Sequence, residues 1–397
     1  MATVQLSLKA NSISFFERTQ ISFQSGDVLG KTVEQIMAAC GILHETEELI
    51  KAFEEDEKKF IAERRNFNKQ YRVKGLAYGT SRWSDSIRLS VKAVNDEQVH
   101  DRKIVLKTSC PYWKEETEDG DKAYYIPVHP YLYLYSLDTY ENIYAHINEV
   151  EDYVYDDTLR EKLILPETHS DLLDILTQDL SILSGDIIEG KSSGTTILCK
   201  GQPGVGKTLT AEAYSEITHR PLYKINSGQL GTSASDVESN LTKILQRAER
   251  WGAVMLIDEA DTYIRKRGND IQHNAIVAAF LRTLEYFNGL LFMTTNRVDD
   301  VDDAIESRCI AIIEYHLPEE DARKRIWRVL ADQFDLAIPD DLIEELVKVF
   351  PSVSGRDIKE LLRLTGRYVK VKKLEFSVKH FISCAQFRGV EIIGEDK

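Results

Sequence analysis

Hydrophobic positions recur along the chain with three rhythms. From Thr32 to Arg65, Ile36, Cys40, Leu43, Leu49, Ile50 and Phe53 return at helical spacing, which predicts an amphipathic helical stretch. The rhythm then shortens. SIRLSVKAV, KIVLKT, YYIPV and YLYLYSL alternate or run apolar, are rich in β-branched and aromatic residues, and are separated by polar turns such as EETEDGDK. Residues 1–157 therefore read as a small α+β domain.

From Leu163 the pattern changes again, with a turn or short strand followed by a helix near Pro166. The polar segment EGKSSG (Glu189 to Gly194) leads into TTILCK. Strands and helices then alternate: TTILCK, a helix from Thr208, PLYKIN, a helix from about Ser235, AVMLID, a helix from about Asn274, LLFMTT and IAIIEYHL. Near-continuous apolar strands alternating with helices predict a parallel sheet covered on both faces. Residues 158–317 are thus expected to form an α/β domain of the nucleotide-binding type. Beyond Pro318 the periodicity is helical, with Ala322 to Phe334, Asp340 to Phe350, Gly355 to Tyr368 and Ser377 to Cys384 broken at Pro339 and at Pro351 to Ser354. Residues 318–397 read as a small helical domain.

Composition narrows the function classes. Of 397 residues, 43% are hydrophobic and 29% charged, the balance of a soluble globular chain. No apolar run approaches the roughly 18 residues of a membrane helix. The opening MATVQLSLKANSISFF lacks a charged start followed by an apolar stretch, so a cytoplasmic chain is expected. Cys40, Cys110, Cys199, Cys309 and Cys384 stand singly, without the C-x-x-C spacing of a zinc or redox site. His219 and His273 lack partners at metal spacing and receive no role. Fifty basic against 65 acidic residues give a net charge of -15, which disfavours nucleic acid as the default partner. Locally, Lys58 to Lys107 holds thirteen basic and five acidic residues, and Lys114 to Asp157 twelve acidic and two basic. Either this marks a basic face for an anionic partner, or oppositely charged strands pair across a sheet. Ten of the 18 tyrosines fall between Tyr112 and Tyr155, fit for a core or for a binding surface.

The chemistry is concentrated in the α/β stretch. Gly201-Gln-Pro203-Gly204-Val205-Gly206-Lys207-Thr208 fits G-x-x-x-x-G-K-[ST] between a predicted strand and a predicted helix. In such a loop the glycines let backbone N–H groups face phosphates, and the helix start adds positive character. Lys207 would reach the β- and γ-phosphates, and Thr208 would offer its hydroxyl to magnesium. Fifty-one residues past Lys207, the strand AVMLID ends in Asp258 and Glu259, at the edge where parallel sheets bind ligands. Asp258 is suited to hold the magnesium ion through water and Glu259 to polarise the water that attacks the γ-phosphate. Asp261 completes the letters D-E-A-D.

With Thr295-Asn296-Arg297, Asp299 and Asp302-x-Ala304 added, the stretch from Gly194 to Cys384 resembles the AAA+ ATPases and, in this last segment, the AAA family proper. The resemblance implies a magnesium-dependent ATPase with a P-loop parallel-sheet core and a helical lid, assembled as a homo-oligomeric ring, expected to be a hexamer. It implies that Asn296 senses the γ-phosphate and attacking water, and that Arg308 is the arginine finger reaching a neighbouring subunit's nucleotide. Arg356, in Ser354-Gly355-Arg356-Asp357, resembles the second sensor. The segment Ile187 to Ser193 is where the family usually contacts adenine.

Two departures stand out. A single arginine occurs in Ser307-Arg308-Cys309 where the family proper usually carries two. Between the second strand and the next helix, Ser227 to Asp236 holds no aromatic residue, and only Leu230-Gly231 could stand in for a substrate-threading loop. The leading expectation is ATP hydrolysis coupled to remodelling of a protein partner bound through the N-terminal domain. Beside it stand an ATP-gated assembly scaffold with slow hydrolysis and a nucleic-acid motor resting on the basic stretch and the D-E-A-D letters.

Overall fold

A computed structural model describes residues 5–12, 15–22, 30–39, 46–79, 86–96, 130–178 and 194–392, which fall into two units, Met1–Val154 and Tyr155–Lys397. KIVLKT, YYIPV, EETEDGDK, most of EGKSSG, Cys40, Leu43 and Cys110 lie outside the described residues.

The first unit opens with an antiparallel hairpin, β1 (Gln5–Ser12) and β2 (Phe15–Ser22), which no rhythm in the sequence announces. Within the predicted helical stretch lie helices Val33–Ala39 and Glu47–Arg64. Five strands follow: β3 (Gln70–Gly79), β4 (Ser86–Asn95), β5 (Tyr131–Ser136), β6 (Asn142–His146) and β7 (Val150–Asp152). Antiparallel pairing runs from β3 to β4, β4 to β5, β5 to β6 and β6 back to β3, so these four strands close on themselves, while β7 adds to β3. Tyr71, Val73, Ala93, Leu132, Leu134 and Ala145 fill the interior, together with Phe60 from helix Glu47–Arg64. That helix is capped at its start by Thr46, whose hydroxyl accepts the Leu49 N–H. At its end the Asn95 side chain donates to the carbonyls of Glu63 and Arg64.

The predicted apolar face of this helix is corrected. Leu49 and Ile50 are 44% and 40% exposed, and Phe60 is its buried residue. Leu49 lies eleven residues before Phe60, on the same side by helical spacing, so burial follows where the sheet supports the helix and not the pattern alone. Among the described residues, two pairs of the opposed charges meet across the sheet, Lys74 with Glu151 at 2.6 Å and Lys69 with Asp152 at 2.7 Å, beside the β3–β7 pairing. Of the tyrosines between Tyr112 and Tyr155, Tyr135 and Tyr144 are buried among the described residues.

The second unit holds a five-stranded, all-parallel sheet: β8 (Thr195–Gly201), β9 (Leu222–Asn226), β10 (Val254–Asp258), β11 (Leu290–Thr295) and β12 (Ala311–Tyr315), in the order β12-β8-β11-β10-β9. Ile197, Cys199, Val254, Leu256, Leu290 and Phe292 are fully buried between helices, which is why these strands read as continuous apolar runs. β8 lies inside the sheet, with β12 on one side and β11, β10 and β9 on the other, so the loop after β8 sits at a topological switch point. The helices anticipated from Thr208, Ser235 and Asn274 are Lys207–Ile217, Ala234–Trp251 and Ile271–Leu284. Four further helices, Glu320–Gln333, Asp340–Val349, Gly355–Lys372 and Val378–Ala385, enclose Trp327, Phe350, Leu361 and Phe381. A mixed α/β fold with a P-loop parallel sheet, helical lid and small N-terminal unit is therefore present. Among the described residues no helix is long and apolar enough to cross a membrane.

Candidate nucleotide site

The loop between β8 and helix Lys207–Ile217 is shaped by glycine. Gly204 and Gly206 have φ of 86° and 105°, left-handed values that side chains other than glycine rarely adopt. A Cβ on Gly206 would meet nothing within 4 Å, so the space facing the loop is open at the helix start. A Cβ on Gly204 would stand 2.7 Å from Ser354 Oγ and 2.9 Å from Arg356 Cβ, because the start of lid helix Gly355–Lys372 rests on the loop. The Arg356 N–H donates to the Gly204 carbonyl at 3.2 Å. Lys207 is 6% exposed, and its ammonium donates to the carbonyls of Gly201 and Gln202 and to Asn296 Oδ1, at 2.7, 2.6 and 2.9 Å. Burial pulls its pKa below the ordinary lysine value, with the carboxylate of Asp258 acting in the opposite direction.

The tip of β10 converges on the same place. Thr208 Oγ1 donates to Asp258 Oδ1 at 2.8 Å, Thr294 Oγ1 donates to that oxygen at 2.6 Å, and Lys224 Nζ lies 2.7 Å from Oδ2. Burial pushes the Asp258 carboxyl up, but hydrogen bonds from Lys224, Thr294 and Thr208 outweigh it and hold the group below the ordinary aspartate value. Glu259 follows with φ of 51°, the left-handed region. Its N–H donates to Thr294 Oγ1 at 3.0 Å, and its carboxylate is exposed and unpaired among the described residues. Asp261, third of the D-E-A-D acids, accepts a hydrogen bond from Thr295 Oγ1 at the start of helix Asp261–Ile264.

Lys207, Thr208, Asp258 and Asn296 are thus brought into two linked hydrogen-bonded pairs at the loop, with Gly201, Pro203, Gly204, Val205 and Gly206 forming the loop itself. Arg308 is not among them. It lies just beyond the short helix Asp303–Glu306, where its guanidinium donates to the Ala304 carbonyl at 3.0 Å and sits 4.0 Å from Glu285. The short helix is fixed by Asp302, which caps it through the Ala304 N–H and is clamped by Arg267 at 2.8 and 3.1 Å. It is also tied to the loop strand, because Lys200, 7% exposed just before Gly201, is ion-paired with Glu306. Arg356 reaches the loop through its backbone, and its side chain is exposed. Leu230, considered above for a threading loop, is 0% exposed in the core, so that reading is corrected. Ile187 to Ser193 lie outside the described residues.

Sequence reasoning passed over Lys200, Lys224 and Thr294. The signal was present for the lysines: each interrupts an apolar strand that must lie inside a parallel sheet, where an unpaired charge is costly. Thr294 carried no such signal, since threonine is at home in any strand.

A switch-point loop with glycine-shaped backbone, a buried lysine and an acidic strand tip defines a P-loop nucleotide-binding module. Residues 197–317 match the family described as ATPase family associated with various cellular activities (AAA). The chain is 28% identical over 200 residues to human ATPase family AAA domain-containing protein 3A, covering 49% of this chain and 34% of that protein. It is 30% identical over 179 residues to a putative 26S proteasome regulatory subunit homologue of Methanothermobacter marburgensis, covering 43% and 48%. It is 27% identical over 252 residues to 26S proteasome regulatory subunit 4 homologue B of Arabidopsis thaliana, covering 59% and 53%. The chain therefore spans about a third to a half of the length of these relatives, and residues 197–317 are the part that matches the AAA ATPase family.

Proposed function

We propose that this chain hydrolyses ATP with magnesium as a ring-forming AAA+ ATPase, expected to be a hexamer, and couples turnover to remodelling of a protein partner bound through its N-terminal residues 1–157. The observation that carries the reading is the convergence of Lys207, Thr208, Asp258 and Asn296 beside the glycine-shaped loop. The donor set fits the ligands: open backbone with positive φ for phosphates, and a hydroxyl beside an ionised carboxylate for a hard divalent ion. Thr208 and Asp258 would hold magnesium, which would supply charge neutralisation on the phosphates. The ammonium of Lys207 already has three acceptors, so an incoming β- or γ-phosphate oxygen takes the place of one of them. Glu259, exposed and unpaired among the described residues, is available to orient and deprotonate water, with Asn296 at the adjacent strand end to align it.

Arg308 would act on the nucleotide of a second copy, stabilising charge on the transferring phosphoryl group. Its surroundings support an interface, since Tyr286 and Ile310, next in sequence to Glu285 and Cys309, are 60% and 61% exposed. Arg356, held at the loop by its N–H, would report phosphate occupancy to the lid. The relatives named for the proteasome regulatory complex favour a protein partner over nucleic acid, while the burial of Leu230 argues against polypeptide threading by that segment. Glu259→Gln is the test: ATP binding should be retained and turnover lost. Hydrolysis at the wild-type rate would remove Glu259 from the role of base.

A further inference from the structure

We propose that Thr294 is a positioning residue of the ATPase centre, whose hydroxyl holds Asp258 and Glu259 in the arrangement hydrolysis requires. The inference rests on the reading of the site as a centre of ATP hydrolysis. Thr294 is 2% exposed at the next-to-last position of β11. Its Oγ1 donates to Asp258 Oδ1 at 2.6 Å and accepts the Glu259 N–H at 3.0 Å, and its carbonyl accepts the Ala260 N–H at 2.9 Å. One residue therefore engages three successive residues of the acidic tip, and its hydroxyl is used both as donor and as acceptor.

The geometry explains why a hydroxyl is needed. The register of β10 on β11 ends at Ile257 opposite Met293, after which the backbone turns through the left-handed conformation at Glu259. A left-handed residue other than glycine is strained and persists where its surroundings hold it. The turn also takes the Glu259 N–H off the β-ladder, and the Thr294 hydroxyl supplies the acceptor that the ladder no longer provides. On its other side, the same hydroxyl opposes Lys224, which grips the second oxygen of Asp258 at 2.7 Å. Without the Thr294 hydroxyl, Asp258 Oδ1 keeps one donor, Thr208, against the pull of Lys224 on Oδ2, and the Glu259 N–H loses the acceptor that holds its constrained turn. The glycines and Lys207, which would carry the phosphates, make no contact with the Thr294 hydroxyl, and Thr208 still donates to Asp258 Oδ1 at 2.8 Å, so the larger loss falls on turnover through Glu259 and the smaller on nucleotide affinity.

Thr294→Val keeps shape and branching but removes the hydroxyl, and Thr294→Ser keeps the hydroxyl. Steady-state hydrolysis at saturating ATP and magnesium, binding of a fluorescent ATP analogue and urea unfolding would be measured on the full chain, with Glu259→Gln alongside. The expected result is a kcat at least about tenfold lower for Thr294→Val with nucleotide affinity changed less than about twofold, and turnover restored in Thr294→Ser. Turnover in Thr294→Val within about twofold of wild type overturns the proposal, as does a serine variant as slow as the valine one at an unchanged urea midpoint. Those results differ from failure of the underlying reading, in which wild type and Glu259→Gln would be equally inactive or equally active.

Discussion

Lys74–Glu151 in the first unit and Lys224–Asp258 in the second are ion pairs of nearly equal length, 2.6 and 2.7 Å, set in opposite surroundings. The first pair is 53% and 56% exposed and bridges two antiparallel strands on a wet face; the second is 30% and 17% exposed at the carboxyl edge of a parallel sheet. Lys200–Glu306 goes further, with the lysine side chain 8% exposed. The comparison teaches that distance alone says little about what a charge does. In the first unit, opposite charges accompany strand pairing and are largely screened. In the second, charges are drawn inside by the loop, the acidic tip and the short helix before Arg308, where each must be matched and where small displacements alter the site.

Three measurements would break or sharpen this contrast. Lys200→Met leaves Glu306 without its partner beneath the loop strand, and urea unfolding should show a loss of about 2 kcal/mol, the partial exposure of Glu306 moderating the cost. A change below about 0.5 kcal/mol would place this pair with the surface pairs. A smaller effect is expected from acid. Because the Asp258 carboxyl is held below its ordinary value, the stability it contributes is present above the unfolded-chain pKa of about 3.9 and is lost as pH falls through the lower folded value. Unfolding curves at pH 5 and pH 3 should therefore converge between wild type and Asp258→Asn as acid is added, and a constant separation would show that the carboxyl is not held low. The smallest effect belongs to Lys74→Met, expected within about 0.5 kcal/mol of wild type by the same assay; a loss of 2 kcal/mol would erase the distinction between the units.

What could be read from sequence divides along the same line. The parallel sheet, its order of strands and helices, and all four lid helices were legible within a few residues, because continuous apolar strands, capping residues such as Ser354 and breaks such as Pro339 are local signals. The loop and acidic tip were legible for the same reason, being contiguous motifs. The closure of β6 onto β3, the exposure of Leu49 and the grip of Thr294 and Lys224 on Asp258 were not, since each depends on which strand lies beside which. Register is a long-range property, and partners 36 and 34 residues from Asp258 in the chain leave no periodic trace.

His219, given no role by its sequence context, closes the helix that begins at Lys207, taking φ of 53° two residues past its end. There its Nε2 meets Asp157 Oδ1 at 2.7 Å, its ring stacks on Tyr155 at 5.1 Å, and Glu216 accepts the Asp156 N–H at 3.2 Å. Residues 155–157 are thus moored to the far end of the very helix whose beginning leaves the glycine-shaped loop. Eleven helical residues make a rod about 16 Å long, which separates the glycine-shaped loop at one end from the His219 and Glu216 side chains that hold residues 155–157 at the other.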